Sequence, residues 1–246
     1  MEPVIDPLMI ASVTADEARA DKILRTSPDY VSGRLKGVLA VVQPPNNITL
    51  AYNAILHEQR GQSEYIALVH DDVWLPEGWA DEVIGQIALV EAMDPERACL
   101  GVAGVWYARK NDAKYFEGRM LDCGAPYPGT HSCPCRVDTL DEVCLIVRND
   151  GETRLCERLT GHHLYGAEYC LRMARVEKWS YAIDAYLEHR KVLDETEQDN
   201  EVKRRVHDPQ FYFNAGILLE RYWDMLPIIT NCMSLRTTVR GVEMLR

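Results

Sequence analysis

The chain lacks a basic footprint. Its 246 residues carry 27 Lys and Arg against 38 Asp and Glu, a formal net charge of −11, which excludes the clustered positive surface that a nucleic-acid binder needs. An anionic ligand would need a metal ion or a local cationic patch. Long apolar runs are missing as well: nowhere do about 18 consecutive apolar residues occur, so no transmembrane segment is expected. The opening Met1-Glu2-Pro3-Val4-Ile5-Asp6-Pro7 has no cationic stretch leading into an apolar one, which points to an unsecreted, cytoplasmic protein. There is no internal repeat and no low-complexity tract. The first apolar segment is followed by Ser12-Val13-Thr14-Ala15-Asp16-Glu17, neither glycine-rich nor basic, against the triphosphate cradle of a nucleotidyltransferase. Cys123, His131, Cys133 and Cys135 lie in a Pro/Gly-rich stretch, but their spacing departs from the C-x2-4-C pairs of structural zinc sites. That stretch reads as a turn-rich loop. Cys99, Cys144 and Cys170 sit in apolar segments and read as reduced, buried thiols.

What is present is enough apolar material, 47% of residues, for one large core in a single domain. Residues 8–14 read as a strand and 15–25 as a helix, with Thr14 and Glu17 placed like a capping box. A second strand over 35–43 and a Pro-Pro-Asn-Asn turn lead into a helix over 48–58, and 65–69 makes a third strand. Pro76 and Glu77 open a helix whose Trp79, Val83, Ile87 and Val90 form one buried stripe, and 99–105 supplies a fourth strand. This alternation predicts an open, mostly parallel mixed sheet with helices on both faces. Between 106 and 134 the pattern loosens into a functional loop or small excursion. Order returns with a strand at 143–147, a helix over 165–176 and a strand over 181–187, with His189 just past its end. Residues 194–205 are dense in both charge signs and read as a solvated segment. An amphipathic helix over 211–226 carries Phe213, Ile217, Leu218 and Tyr222 and is ended by Pro227.

The third strand ends in His70-Asp71-Asp72. A run buried on both faces belongs to a parallel sheet, and such sheets place their chemistry beyond the carboxyl ends of their strands. Successive side chains of an extended chain point to opposite faces, so His70 and Asp72 project one way and Asp71 the other. A carboxylate with a histidine at a strand end can hold Mg or Mn. Helix capping ahead of Glu77, or plain loop acids, is the alternative.

Four segments in register resemble the family-two glycosyltransferases: Ala51-Tyr52-Asn53-Ala54-Ile55, the strand ending His-Asp-Asp-Val, 137–146, and His163-Leu164-Tyr165-Gly166-Ala167-Glu168-Tyr169-Cys170-Leu171. The nearest branch is the streptomycin-biosynthesis-type, glycosyltransferase-like domains, and the likeness runs from about residue 48 to 189 with an echo over 221–227. The resemblance implies a GT-A fold with a C-terminal helical segment, a nucleotide-diphosphate sugar donor, a divalent metal (Mn or Mg) and an unknown glycan or small-molecule acceptor. It divides the single domain 1–246 into a nucleotide-binding half (1–105), an acceptor half (106–193), and a lid with a C-terminal helix (194–246). His70 and Asp72 then match the outer positions of the Asp-x-Asp motif, and His189 matches a late histidine that completes the site. Asp71 becomes an outer support of the donor site or a solvated group. Thr14, Asn47 and Asn53 would border the donor, although Asn46 and Asn47 are equally good turn residues.

The chain departs from the family where an inverting enzyme keeps its general base. Gly166 stands at the first acid of that motif and Glu168 at the second. Glu168 is the leading replacement, although its i,i+4 spacing to Arg172 also suits an ion pair, and Asp141 is the second candidate beside Asp138 and Glu142. Trp74 is the better candidate for stacking on a sugar, ahead of Tyr165 and of Trp79, which fits the core. Lys203, Arg204 and Arg205 would supply a phosphate-binding lid. A non-catalytic nucleotide- or glycan-binding relative is the competing expectation.

Overall fold

In the first strand, β1 (Asp6–Thr14), Met9, Ala11 and Val13 belong to one buried cluster and Leu8 and Ile10 to another. Both faces of the strand are apolar, so both must be covered. The computed structural model describes residues 6–42, 47–129, 133–190, 209–238 and 241–245. Residues 44–46 of the expected Pro-Pro-Asn-Asn turn, His131, and the charged segment 194–205 with Lys203, Arg204 and Arg205 lie outside the described residues.

After β1 come α1 (Glu17–Lys22), α2 (Pro28–Val31), β2 (Lys36–Val41), α3 (Ile48–Glu58), β3 (Ser63–Val69), β4 (Val73–Trp74) and α4 (Trp79–Met93). The middle of the chain is strand-rich: β5 (Cys99–Gly101), β6 (Ala103–Ala108), β7 (Ala113–Gly118), β8 (Met120–Asp122), β9 (Ala125–Pro126), β10 (Cys135–Val137), β11 (Thr139–Leu140) and β12 (Cys144–Arg148). Then follow α5 (Tyr165–Ala174), β13 (Ser180–Ala182), β14 (Leu187–His189), α6 (Pro209–Tyr222), β15 (Ile228–Ile229), β16 (Ser234–Thr238) and β17 (Gly241–Leu245).

A seven-stranded sheet in the order β10-β13-β5-β12-β3-β1-β2 forms the centre. β1 pairs in parallel with β2 and β3, and β5 with β13. β12 runs antiparallel between β3 and β5, and β10 is antiparallel at the edge. Residues of α3, α5 and α6 pack on one face, and Trp79, Val83, Ile87 and Val90 of α4 cover the other. This is the GT-A-like mixed α/β arrangement expected from the sequence.

Local chemistry sets the helix starts. The side chain of Asn47 accepts a hydrogen bond from Leu50 N at 3.1 Å and caps α3. The start of α4 is capped from a distance: Asp29, fully buried, accepts from Gly78 N at 2.9 Å and Ala80 N at 2.6 Å. Gly78 turns with φ 83°, a left-handed conformation that favours glycine. The helix therefore begins at Trp79 rather than at Pro76. The expected helix over 15–25 is also shorter, because Asp16, not Thr14, caps α1 by accepting from Arg19 N at 3.1 Å.

The stretch read as a loose loop over 106–134 supplies β6 to β9. β6 and β7 form a hairpin extended by β11, and β8 and β9 join β4 and β14 in a four-stranded sheet ordered β4-β14-β8-β9. A C-terminal meander of β15, β16 and β17 follows the expected final helix.

Candidate metal centre

β3 lies between parallel β1 and antiparallel β12, and its pairing with β12 runs one residue past its end: His70 N donates to Val143 O at 3.1 Å. Val73 N then donates to His70 O at 3.3 Å, closing a tight turn that sets Asp71 and Asp72 at the sheet's edge. β4 leaves this turn and pairs antiparallel with β14, His189 opposite Val73. Arg190 N donates to Asp72 O at 2.7 Å. A residue more than a hundred positions away in sequence is thereby delivered to the end of β3.

Ligand-capable atoms of His70, Asp72 and His189 all lie within 4.8 Å of one another. His189 Nε2 stands 3.1 Å from Asp72 Oδ1, an ion-pair contact without hydrogen-bond alignment, and His70 Nε2 is buried with no hydrogen-bond partner. Buried polar atoms are rarely left unpaired, so two lone pairs facing one space fit a cation. An imidazole, a carboxylate and a second imidazole form a mixed N/O donor set that suits a first-row divalent ion, Mn among them, better than Mg, which favours oxygen ligands.

Electrostatics fits the assignment at His70 and Asp72, whereas His189 must lose a proton before it can join them. Burial, reinforced by neighbouring His162, holds His70 well below the usual histidine range, so its ring is neutral. Asp72 stays ionised: burial opposes its charge, but the contact with His189 and the nearby His70 and Arg19 hold it well below the usual carboxylate range. His189 is pushed up to about 9, because Asp122 and Asp72 together outweigh its burial. Its Nδ1 lies 2.8 Å from Asp122 Oδ1, the carboxylate–histidine arrangement that orients metal-binding imidazoles.

Asp71, in the turn, meets Thr14 and Arg19 rather than the histidines, and it is not solvated. It is 1% exposed, accepts from Thr14 Oγ1, and pairs with Arg19, whose Nη2 lies at 2.7 Å and Nε at 3.1 Å. This pair, buried on the Asp71 side and half-open at Arg19, ties β1 and α1 to the end of β3. The hydroxyl of Thr14 also accepts from Asp16 N at 2.8 Å, so Thr14 is committed to this junction.

Other expected donor-side and aromatic residues are engaged in structure. Asn53 is buried; its Nδ2 donates to Leu155 O at 3.0 Å, and its Oδ1 accepts from Leu155 N at 2.8 Å, pinning the segment before α5. Tyr165 is fully buried and donates to Glu142 O at 3.1 Å. Trp79 lies in the core. Trp74 is partly open, with the Arg190 guanidinium 4.0 Å from its ring centre.

The acids divide sharply. Glu168, the first choice for general base, is fully buried: Tyr222 Oη donates to it at 2.7 Å, and Arg172 and Arg221 approach to 3.4 and 3.6 Å. A carboxylate so enclosed anchors α6 to α5 and has no open side for an acceptor hydroxyl. Asp141 is half-buried and oriented on both oxygens, with Val143 N at 3.0 Å and Asn231 Nδ2 at 2.8 Å. At Gly166 a side chain does not fit, because an added Cβ would lie 2.9 Å from Leu140 O and 3.4 Å from Glu142 N. The segment carrying Asp141 thus packs directly against Gly166.

Sequence reasoning misses Asp122, Arg19 and His162. His162 meets the His70 ring edge-on at 5.2 Å, and its Nδ1 is buried without a partner. The His162-His163 doublet just before α5 is the available signal. Asp122 gives none, because its partner becomes adjacent only through the β8–β14 pairing. Asp122, Cys123 and His189 make a second ligand-capable group.

No family model matches the chain. A protein of Fuscovulum blasticum described as "ATP synthase subunits region ORF 6" is 27% identical over 198 residues, spanning 76% of this chain and 77% of that one. Among solved structures, A197 from STIV aligns with a TM-score of 0.42 at 11% identity, over 73% of this chain and 82% of its own. A glycosyltransferase involved in the glycosylation of the major capsid of PBCV-1 aligns with a TM-score of 0.34 at 12% identity, over 58% and 61%. At such scores neither structural likeness carries an activity over to this chain.

Proposed function

We propose that the protein is a metal-dependent glycosyltransferase that moves a sugar from a nucleotide-diphosphate donor to an acceptor hydroxyl with inversion. The observation that carries this reading is the convergence of His70, Asp72 and His189 within 4.8 Å, with His70 Nε2 and Asp72 Oδ1 buried without a hydrogen-bond partner. In glycosyl transfer the diphosphate leaving group gathers negative charge as the glycosidic bond breaks, and a bound divalent ion supplies the compensating charge. A chain of net charge −11 has particular need of it. His70, Asp72 and His189 would hold the ion, Asp122 would fix the His189 ring, and the Asp71–Arg19 pair would keep the strand end in place. Asp141 replaces Glu168 as the proposed base: it would take the proton from the acceptor hydroxyl, its carboxylate being held by Val143 N and Asn231.

The deciding experiment is a thermal-shift screen of nucleoside diphosphates with and without Mn, followed by donor hydrolysis assays. The reading requires stabilisation by one nucleoside diphosphate that depends on the ion and vanishes in Asp72→Ala. It also requires donor turnover that Asp141→Asn lowers by two or more orders of magnitude, in line with loss of a general base. Binding that survives without any turnover would instead favour a nucleotide- or glycan-binding module, the reading that Gly166 and the enclosed Glu168 support.

A further inference from the structure

The sulfur atoms of Cys133 and Cys135 lie 3.8 Å apart with a single proline between the residues. Their surroundings differ from those of Cys99, Cys144 and Cys170, which are buried. Both are half-buried, and Cys133 lines a surface hollow with Arg119, Tyr127 and Tyr186. Cys135 is held by the sheet: it opens β10, opposite Ala182 on β13. Cys133 lies in the turn just before it, so one sulfur is fixed and its neighbour is reachable from solvent. Among the described residues neither sulfur joins a group of three metal-capable side chains.

We infer that Cys133 and Cys135 form a redox-active dithiol that exchanges with small disulfides of the glutathione class. The Cys133 thiolate attacks one sulfur of glutathione disulfide, releasing a glutathione thiolate and leaving Cys133 joined to glutathione. Cys135 then attacks the Cys133 sulfur, the second glutathione leaves as thiolate, and the protein disulfide closes. Two thiols are oxidised, one disulfide is reduced to two thiols, and both protons leave with glutathione. Closing from 3.8 Å to the ~2.05 Å of a disulfide is a movement on the scale of side-chain rotation.

The two sulfurs are suited to opposite roles. The hydrogen bond from Cys135 holds the Cys133 thiol below its ordinary value, outweighing burial, Glu117 and Asp184. Cys135 is pushed up first by that same contact with Cys133. Capping Cys133 with glutathione removes that cause and frees Cys135 to act as the resolving thiol.

The test uses the reduced full-length chain, incubated with glutathione disulfide under native conditions and analysed by intact mass and by the tryptic peptide spanning 120–136. The expected product has lost two hydrogens, carries no glutathione, and resists alkylation at Cys133 and Cys135. Cys123→Ser closes in the same way. Cys135→Ser stops at one glutathione adduct, and Cys133→Ser reacts roughly tenfold more slowly at this peptide. The inference is overturned if the wild-type chain keeps a stable adduct, if Cys123→Ser abolishes the disulfide, or if the thiols stay inert until a chelator strips a bound metal. Should a variant fail to fold, alkylation mapping on the unaltered protein decides between the same outcomes.

Discussion

His189 stands between two carboxylates, Asp72 at 3.1 Å and Asp122 at 2.8 Å. Burial works against its charge, yet the pair of acids pushes it up to about 9, above the ~6.5 of an unfolded chain. A raised folded-state value means that the stability it contributes is complete below about pH 6.5 and is lost as the pH climbs through about 9. The contribution is about 3 kcal/mol at most, and the depressed Asp72 reports the same contact from its other side, so it counts once. Metal binding runs the other way, because the ligand must be a neutral imidazole. In EDTA the melting temperature should therefore fall between pH 6.5 and 9, while the added stabilisation from Mn or Mg grows over that window. His189→Gln should flatten both trends. Differential scanning calorimetry across the window checks this, and a metal effect independent of pH would remove His189 from the ligand set.

At the scale of elements, one glycine bears on where the proposed base can sit. Gly166 lies in the first turn of α5, and an added Cβ would meet Leu140 O at 2.9 Å. Placing an acid there with Gly166→Asp should cost about 2 kcal/mol or more through overpacking against backbone, and Gly166→Ala should cost nearly as much. Neither should raise donor turnover, which chemical denaturation and the hydrolysis assay would establish side by side. A Gly166→Asp variant of native stability and higher activity would return the base to that position. Much of this frame is legible in the sequence. α3 reads at its bounds, 48–58, since Asn47 caps it and apolar residues recur at helical spacing, and β3 reads from its unbroken apolar run. The nearness of His70, Asp72 and His189 is expected from the resemblance, and the fold does bring the three together. Two classes of feature are not legible. One is pairing between distant short strands: β8 places Asp122 on His189 through a register that no local period encodes. The other is burial of a polar side chain: Glu168 and Asn53 look like functional residues in sequence, but Tyr222 and Leu155 claim them in the fold.

For the molecule as a whole, the C-terminal meander is what the sequence hides most completely, and it is structural as well as proximal to the proposed acceptor side. Ile228, Ile229, Met233 and Leu235 are each at most 3% exposed, and Ile228, Met233 and Leu235 join the core cluster that contains α3, α5 and α6. Thr139 Oγ1 donates to Ile229 O at 2.8 Å, and Lys114 Nζ donates to Asn231 O at 3.2 Å, fastening the meander to β11 and β7. Four buried side chains at about 2 kcal/mol each amount to about 8 kcal/mol, which is comparable to the whole ~5–15 kcal/mol stability of a typical domain. Deleting 228–246 should therefore abolish a cooperative unfolding transition rather than merely lower its midpoint. Asn231→Ala removes the hydrogen bonds to Asp141 and from Tyr127 Oη and should cost about 2 kcal/mol. The two variants separate support of the fold from orientation of the acid: urea melts followed by fluorescence should show no transition for the deletion and a shifted midpoint for Asn231→Ala. A deleted chain that still melts cooperatively near the intact midpoint would show that the core closes without the meander, leaving the orientation of Asp141 as its main contribution.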